Sequence, residues 1–239
     1  MLENYKKHVA ERAEQNIPPL PLDADQTSEL IELLKKDHQE SDFLLNLLKE
    51  RVPAGVDQAA YVKAAFLADI TTGKASSPYI TKIDAVKILG TMLGGYNIQP
   101  LIECLKDNEL AEAAAHVLSR TLLIFDAFNE IFELSKTNEH AKKVVEEWAN
   151  ATWFTEKTDI EEQIKLTVYK VTGEINTDDL SPAPDAWSRP DIPLHALAMF
   201  KMPRTGLDDP LGTIEKLKEK GNPLVFVGDV VGTGSSRKS

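Results

Sequence analysis

Apolar side chains recur at helical spacing through the first two thirds of the chain. Leu34 follows Leu30 by four positions and Ile31 by three, which places the three side chains on one face of a helix. Asp23, a residue type that accepts hydrogen bonds from free N–H groups at helix starts, precedes them as the predicted N-cap. The next helix is predicted to start at Ser41.

Further helices are predicted over residues 57–72, 81–93 and 108–136, the last being the longest. Their expected inward positions include large apolar groups, namely Tyr61, Leu93, Leu122, Phe125 and Phe132. Short helices separated by tight turns, without a strand pattern, indicate antiparallel helix pairs stacked as in a solenoid. Residues 1–160 are therefore predicted to form an all-α helical-repeat domain.

The periodicity changes near residue 160. Ile164–Val171 alternates apolar and polar residues, which is the pattern of a half-buried strand. A loop rich in Pro, Asp and Asn follows, and then predicted helices over His195–Lys201 and Thr213–Lys220 and a second strand over Pro223–Val227. This order predicts an α/β domain over residues 161–239, so the chain is expected to be multidomain.

The carboxyl ends of neighbouring parallel strands lie at one edge of a sheet, where α/β domains bind ligands. The loops that begin after residues 171 and 227 both follow predicted strands. We therefore expect these two loops to meet at a single site.

Composition and charge narrow the class of protein. The 239 residues are 42% hydrophobic and 27% charged, which is typical of a globular domain. The sequence contains no apolar run of the ~18 residues that a membrane span needs, and its first residues lack a secretion signal. The single cysteine, Cys104, excludes an internal disulfide and favours a reducing cytoplasm, and its neighbours predict a buried apolar group. A net charge of −11 argues against broad contact with nucleic acid.

The last residues, Gly228–Ser239, combine a Gly-rich turn with two hydroxyls and a guanidinium. Glycines let the backbone approach a ligand closely, and N–H groups at a helix start attract anions. Ser235, Ser236 and Arg237 could complete a cradle for a carboxylate or a phosphate. Because a helix should begin where the sequence ends, we expect the chain to be part of a longer protein. Gly94–Gly95, which no Lys-Ser or Lys-Thr pair follows, is predicted to serve backbone conformation instead.

The segment Asn176–Pro182 places Asp178 and Asp179 beside a hydroxyl. Such a pair could bind a metal, pair with an arginine or form a turn, since Asn, Asp, Ser and Pro are the usual turn residues. The residues alone leave these three alternatives open.

In combination these motifs are more specific. Asn176–Pro182 followed by Gly228–Ser239 resembles the swivel domain of the aconitase superfamily. The helical region, with Ala60–Ala65 and Leu93–Ile98, is similar to the HEAT-like N-terminal domain of the bacterial aconitase B branch. The resemblance covers essentially the whole chain and implies a HEAT-like domain followed by a truncated swivel domain.

The resemblance implies roles for individual residues. Ser235 matches the catalytic serine, the base that removes a proton from citrate or isocitrate. Ser236 and Arg237 match substrate-binding residues, and a bidentate contact with a carboxylate suits an arginine.

Three more positions lie in the loop before residue 191. Arg189 matches a second arginine for a substrate carboxylate, although its spacing from the aspartates differs slightly from the mitochondrial branch. Asp178 matches an active-site aspartate that pairs with an arginine. Asp179 stands where other branches carry histidine, so the resemblance assigns it no role.

The family's 4Fe-4S cluster is held by three cysteines, and this chain has one cysteine. The resemblance therefore implies a lyase of the tricarboxylic acid cycle whose cluster ligands lie in the rest of a longer chain, with no metal ligand here and no activity for this part alone. It implies citrate–isocitrate interconversion through cis-aconitate, with 2-methylisocitrate as a further candidate substrate. The expected partners are the tricarboxylate and a second copy bound through the helical domain. The alternative function is an interaction module that binds mRNA when the protein lacks its cluster.

Overall fold

The computed structural model describes residues 1–15, 19–122, 124–156, 161–188 and 192–234. The chain divides into two compact units, Pro21–Thr158 together with Met1, and Leu2–Leu20 together with Asp159–Ser239. Within the described ranges, no helix has both the length and the apolar character needed to cross a bilayer.

The first unit is built from helices. They are α2 Ala24–Leu34, α3 Ser41–Asn46 with a π-helical turn Leu47–Arg51, α4 Gln58–Thr72, α5 Lys82–Leu89, α6 Ile98–Cys104, α7 Ala111–Leu118, α8 Phe125–Leu134, α9 Glu139–Ala149 and α10 Thr152–Thr155. Helices close in sequence pack together, α2 on α4, α4 on α5, α5 on α7, and α7 and α8 on α9. The predicted helical character of this region is confirmed, and the solenoid-like arrangement stays a prediction.

Local capping explains where several helices begin. The Asp23 carboxylate accepts the Gln26 N–H at 2.8 Å, and the Gln26 side chain accepts the Asp23 N–H in return. Thr81 and Asp84 make the same reciprocal pair at the start of α5. The predicted starts at Asp23, Ser41 and Thr81 are confirmed.

The single helix predicted over residues 108–136 is wrong. Two helices, α7 and α8, occupy this range, and α7 ends at Leu118. The Leu118 carbonyl accepts the indole N–H of Trp148 at 3.0 Å, and the Thr121 hydroxyl donates to the Val117 carbonyl at 3.0 Å. These side chains take carbonyls at the helix end, so the break depends on a tryptophan 30 residues away.

Several aromatic and aliphatic groups predicted to face the core lie on the surface instead. Tyr61 is 50% exposed, Leu93 78% and Phe125 75%, and Leu122 and Phe132 are exposed as well. Tyr61 packs edge-to-face against Tyr96 at the surface, and α8 buries only Ile131. Helical spacing shows which residues share a face but not whether this unit covers that face.

A close backbone approach accounts for Gly94. The Leu93 N–H donates to the Ala54 carbonyl at 2.7 Å, and a Cβ on Gly94 would lie 1.9 Å from the Gly55 carbonyl oxygen. Gly95 has a φ of +91°, which favours glycine. The prediction that Gly94–Gly95 serves backbone conformation is confirmed.

The second unit mixes helices with strands. Its elements are α1 Leu2–Glu14, β1 Thr167–Lys170, β2 Glu174–Asn176, α11 Thr177–Leu180, a 3₁₀ segment Ala183–Ser188, α12 Ile192–Ala196, α13 Pro210–Lys218, β3 Leu224–Val227 and β4 Val230–Thr233. β1 pairs in parallel with β3, and β2 in parallel with β4. Buried apolar side chains beneath them form its core, namely Tyr169, Val171, Ile175, Phe200 and Ile214. The expected α/β character is confirmed for the described residues.

Two details of that expectation are wrong. The helix predicted over His195–Lys201 is instead α12, which ends at Ala196, and Phe200 then has a φ of +56°, in the left-handed region that a helix cannot continue through. The Gly-rich turn predicted after Val227 contains β4, since parallel pairing with β2 overrides the weak strand propensity of a Gly-containing segment.

Cys104 generates a test of the first unit's packing. The side chain is 4% exposed, as predicted, and burial raises the pKa of its thiol. At pH 7 to 8 we expect the folded chain to react with a thiol reagent more than about tenfold more slowly than the urea-unfolded chain, because the thiolate is both scarcer and shielded. The chain has one cysteine, so the rate reports this position alone. Equal rates in the two states would contradict the burial.

Candidate functional site

The loops that follow β1 and β3 meet, as predicted. The Asp229 N–H donates to the Gly173 carbonyl at 2.9 Å, and beyond this point the chain segments continue side by side as β2 and β4. Glu174 pairs with Val230 and Asn176 with Thr233, with a register shift between them. The two motifs singled out in the sequence therefore run in parallel next to each other.

The Asp229 side chain fastens this junction. One carboxylate oxygen accepts the Gly173 N–H at 2.8 Å, and the other pairs with the Lys170 ammonium at 2.8 Å. The hydrogen bond from Lys170, followed by that from Gly173, lowers the pKa of Asp229 below its ordinary value of 3.8. Since its folded-state pKa is depressed, this contribution is present at neutral pH and is lost as the pH falls through the folded-state value.

Gly234 lies directly against the start of the aspartate motif. It has a φ of +96°, and a Cβ built on it would lie 2.5 Å from the Thr177 hydroxyl oxygen. That oxygen is buried and has no hydrogen-bond partner among the described residues. Only glycine fits this contact. The Gly-rich segment therefore packs directly against Thr177 at Gly234, the residue before Ser235 in the sequence.

The aspartate motif folds as the short helix α11 because its own side chains cap it. The Asn176 side-chain oxygen accepts the N–H groups of Asp178 at 2.8 Å and Asp179 at 3.1 Å. Asp179 returns the interaction, because its carboxylate accepts the Asn176 N–H at 2.8 Å. This is a reciprocal capping box built from turn residues.

Asp179 is also held by two residues that follow α11 in the sequence, Phe200 and Arg204. Arg204 pairs with the Asp179 carboxylate at 3.2 Å and donates to the Glu174 carbonyl. The Asp179 carbonyl accepts the Phe200 N–H at 2.7 Å. Of the three alternatives open for the aspartate pair, Asp179 combines turn chemistry with an arginine partner, and its contacts are those of a residue that holds the motif in shape.

Asp178 occupies the next position on α11 and is half-buried. Its carboxylate accepts the Ala183 N–H at 3.3 Å, which links the helix to the 3₁₀ segment. The other sequence-predicted site residues, Arg189, Ser235, Ser236 and Arg237, lie outside the described residues. Their roles stay predictions.

A second polar cluster was not predicted from the sequence. His195 contacts the hydroxyls of Ser181 and Ser188, and Lys201 pairs with the buried Asp185. These partners lie seven, 14 and 16 positions apart in sequence and follow no periodic pattern. The only local signal was the density of hydroxyl and acidic residues in the loop.

A cavity of about 630 Å³ lies in the same unit, bounded in part by Phe200, Met202 and Leu207. The two cations at its edge already have partners, since Lys201 pairs with Asp185 and Arg204 with Asp179. The cavity is mostly apolar, and both cations at its edge are already paired with carboxylates of this unit. We therefore take the junction of the two motifs, and not this cavity, as the candidate site.

No group of three or more His, Cys, Asp or Glu residues in the described part of the chain is arranged to hold a metal ion. The Asp179 carboxylate is occupied by Asn176 and Arg204. The metal alternative for the aspartate pair therefore has no support among these residues.

Comparison with known protein families accounts for both units. The family model described as the aconitate B N-terminal domain matches residues 4–154, and the model described as the aconitate hydratase 2 N-terminus matches residues 166–239. The chain belongs to the aconitate hydratase B family.

Individual members of the family are similar over the whole chain. Aconitate hydratase B of Escherichia coli is 58% identical over 248 residues, covering 100% of this chain and 29% of that protein. The Pseudomonas aeruginosa protein is 58% identical over 248 residues, and the Helicobacter pylori protein 50% over 240 residues; each match covers 100% of this chain and 28% of the relative. The chain thus spans less than a third of the length of these aconitate hydratases.

The contact of Gly234 with Thr177 generates a mutational test. Gly234→Ala adds left-handed strain of about 1–2 kcal/mol and a collision with the Thr177 hydroxyl that costs roughly 1–3 kcal/mol more. We expect the β2–β4 junction to open more often, so that the amides of residues 175–176 exchange hydrogen faster with solvent, as measured by mass spectrometry.

Gly232→Ala is the matched control, because Gly232 has a φ of +84° and no atom within 4 Å of an added Cβ. It should show the strain without the collision. Thr177→Ala removes the colliding oxygen and should rescue Gly234→Ala but leave Gly232→Ala unchanged. Equal effects of the two glycine substitutions would contradict the close contact.

Proposed function

We propose that this region forms one wall of the active site of an aconitate hydratase that interconverts citrate and isocitrate through cis-aconitate. The observation that carries the proposal is the parallel pairing of β2 with β4, which brings the aspartate motif and the Gly-rich segment together. Either motif alone is common, and their contact in a chain that belongs to this family supports a single shared site.

Dehydration of citrate or isocitrate removes a proton from a carbon next to a carboxylate and a hydroxide from the adjacent carbon. The electron pair of the broken C–H bond forms the double bond of cis-aconitate, and the proton and hydroxide amount to one water. We assign the proton to the Ser235 oxygen. Because an unassisted serine is a very weak acid, its alkoxide form requires nearby donors and positive charge.

Arg237 and Arg189 would supply that charge and bind the substrate's carboxylates through paired N–H donors. Ser236 would add a neutral donor, and Asp178 would orient an arginine through an ion pair. Gly234 is held against Thr177, so the Gly-rich segment is anchored to the aspartate motif as far as this residue.

The residues of this chain do not fit a 4Fe-4S site. A cluster held by three cysteines cannot be built from one, and Cys104 is buried with a raised pKa, which disfavours the thiolate that binds iron. We therefore propose that the cluster and its ligands belong to the remainder of a longer protein. When bound there, the cluster would act as the Lewis acid for the departing hydroxide.

We propose that the whole protein works in the cytoplasm. We also propose that the first unit is HEAT-like, as its order of helix packing suggests.

The same wall would accept 2-methylisocitrate, which differs from isocitrate by one methyl group. Comparing kcat/KM for the two substrates tests this extension. The net charge of −11 opposes a broad RNA-binding surface on this chain.

Substitutions in the full-length enzyme test the proposed wall. Ser235→Ala removes the base, and we expect kcat to fall by about 10²–10⁴. Arg237→Lys keeps the charge but loses the paired donors, and we expect a higher KM together with a lower kcat. Turnover is followed by the absorbance of cis-aconitate, with iron content and the circular dichroism spectrum checked for each variant.

Ser76→Ala is the matched control, because Ser76 is an exposed serine of the helical unit. It should leave turnover unchanged. If Ser235→Ala retained more than about a tenth of the kcat, serine would not be the base, since general-base removal costs at least about 10².

We propose a second function for the helical unit, self-association through α8. Phe125, Phe128 and Phe132 are exposed and lie at the spacing of a helical contact stripe. Two antiparallel copies of α8 around a twofold axis would bury the same residues from each copy.

Phe128→Asp tests this contact, because it puts a charge at the centre of the stripe. We expect the dissociation constant of the dimer to rise by at least about 10²-fold. It is measured on the full-length protein by sedimentation over a range of concentrations. Val56→Asp makes a comparable change at another exposed apolar position of the same unit and should leave the dimer intact. A monomeric parent protein at every concentration would contradict the proposal.

A further inference from the structure

The cavity of about 630 Å³ in the second unit is lined by residues of α1 and of the stretch 197–211. Apolar side chains form most of its wall, among them Val9, Ala13, Met199, Phe200, Met202 and Leu207. Sites for small molecules are typically about 300–1,000 Å³ in volume and are lined mostly by such groups. The two methionines are unbranched, so this part of the wall can adapt its shape to a ligand.

The charged groups at the edge of the cavity disfavour an anion. Lys201 pairs with Asp185, whose side chain is 5% exposed, and Arg204 pairs with Asp179 at 3.2 Å. An anionic ligand would have to draw one of these cations away from its carboxylate, and leaving a buried carboxylate without its partner is costly. Asp208 adds a negative charge at the edge, but it is exposed to solvent and would contribute little to binding a cation. The cavity therefore favours a neutral ligand.

One part of the wall is held in a strained conformation. Phe200 has a φ of +56°, in the left-handed region that a bulky side chain rarely adopts. Its ring is buried, with its centroid 6.4 Å from that of Tyr169 and 5.3 Å from that of Phe226. Strained residues of this kind are concentrated at active sites, ligand clamps and switch regions, where the surrounding contacts hold them in place. The strain is a second observation, independent of the apolar lining, that favours a ligand site here.

Residues that line the cavity also hold the aspartate motif. The Phe200 N–H donates to the Asp179 carbonyl at 2.7 Å, and the Arg204 guanidinium pairs with the Asp179 carboxylate. Lys201 makes the ion pair with Asp185 in the 3₁₀ segment. A ligand packed against residues 199–207 would keep these three contacts in place. An opening that breaks them would then first require the ligand to leave.

We propose that this cavity binds a neutral apolar small molecule, and that the bound molecule stabilises the aspartate motif through Phe200, Lys201 and Arg204. The inference goes beyond the proposed lyase wall, because a tricarboxylate is an anion and this site favours neutral molecules. Its tests measure binding and hydrogen exchange and not turnover, so its failure is distinguishable from failure of the proposed function.

The direct test is a titration of the full-length protein with phenyl-naphthylamine, a neutral dye that fluoresces strongly in apolar surroundings. We expect saturable binding that depends on both walls of the cavity. Met202→Glu puts a charge into one wall at a side chain that is 59% exposed, and the dissociation constant should rise at least about tenfold. Ala13→Trp fills the space from α1 without adding a charge and should weaken binding by a similar factor.

Two controls separate this site from unspecific binding of the dye. Ile83→Glu makes a comparable change at an exposed apolar side chain of α5 that does not line the cavity, and it should leave the dissociation constant within about twofold. Anilinonaphthalene sulfonate has the same ring system with an added negative charge. It should bind the parent protein at least about tenfold more weakly, because its charge would compete with Asp185 and Asp179.

Hydrogen exchange followed by mass spectrometry tests the link to the aspartate motif. With the dye at ten times its dissociation constant, openings that empty the cavity become about tenfold rarer. Exchange over residues 179–185 should therefore slow by up to this factor, and Met202→Glu should abolish the effect. Exchange over α2, in the other unit, should be unchanged.

The proposed site is wrong if the full-length protein shows no saturable binding of the neutral dye. It is also wrong if Met202→Glu and Ala13→Trp both leave the dissociation constant within about twofold of the parent, because the dye then binds elsewhere. Should either variant not fold, the other decides. Equal affinity for the sulfonated dye would contradict the neutral ligand class, and binding without slower exchange over residues 179–185 would contradict the link to the aspartate motif.

Discussion

The parallel pairing of β2 with β4 is the constraint on which the candidate site depends. It places Thr177 against Gly234, so the start of the aspartate helix and the end of the Gly-rich segment share one contact that excludes any side chain. The Asp229 carboxylate accepts hydrogen bonds from the Lys170 ammonium and the Gly173 N–H, and these contacts stabilise the point where the pairing of β2 with β4 begins. Without the pairing, the two motifs would be unrelated loops more than 50 residues apart.

The aspartate motif depends in turn on contacts from residues 195–204. Arg204 and the Phe200 N–H hold Asp179, while His195 and Lys201 hold the loop beyond it. The two aspartates therefore differ in their contacts. The Asp179 carboxylate caps α11 and pairs with Arg204, whereas the Asp178 carboxylate contacts the 3₁₀ segment that precedes Arg189 in the sequence. The proposed wall of a tricarboxylate site depends on this arrangement.

The sequence predicted features that depend on local chemistry and failed where distant partners decide. The starts of α2 and α5 could be predicted because their caps, Asp23 and Thr81, act within three residues. The end of α7 could not, because Trp148 comes from another helix. The meeting of the two loops followed from strand order, but β4 itself was missed, since a strand containing glycine forms only when its partner is present. Helical spacing also misjudged Phe125, because it reveals a shared face without revealing what covers it.

The most direct test of this account is a crystal structure of the full-length protein with citrate or isocitrate bound. The account predicts that one carboxylate of the ligand contacts Arg237 or Ser236, that Ser235 lies at hydrogen-bond distance from the carbon that loses its proton, and that the Gly234–Thr177 contact is unchanged. A ligand bound away from both motifs, or a Gly-rich segment separated from Thr177 in the complex, would contradict it.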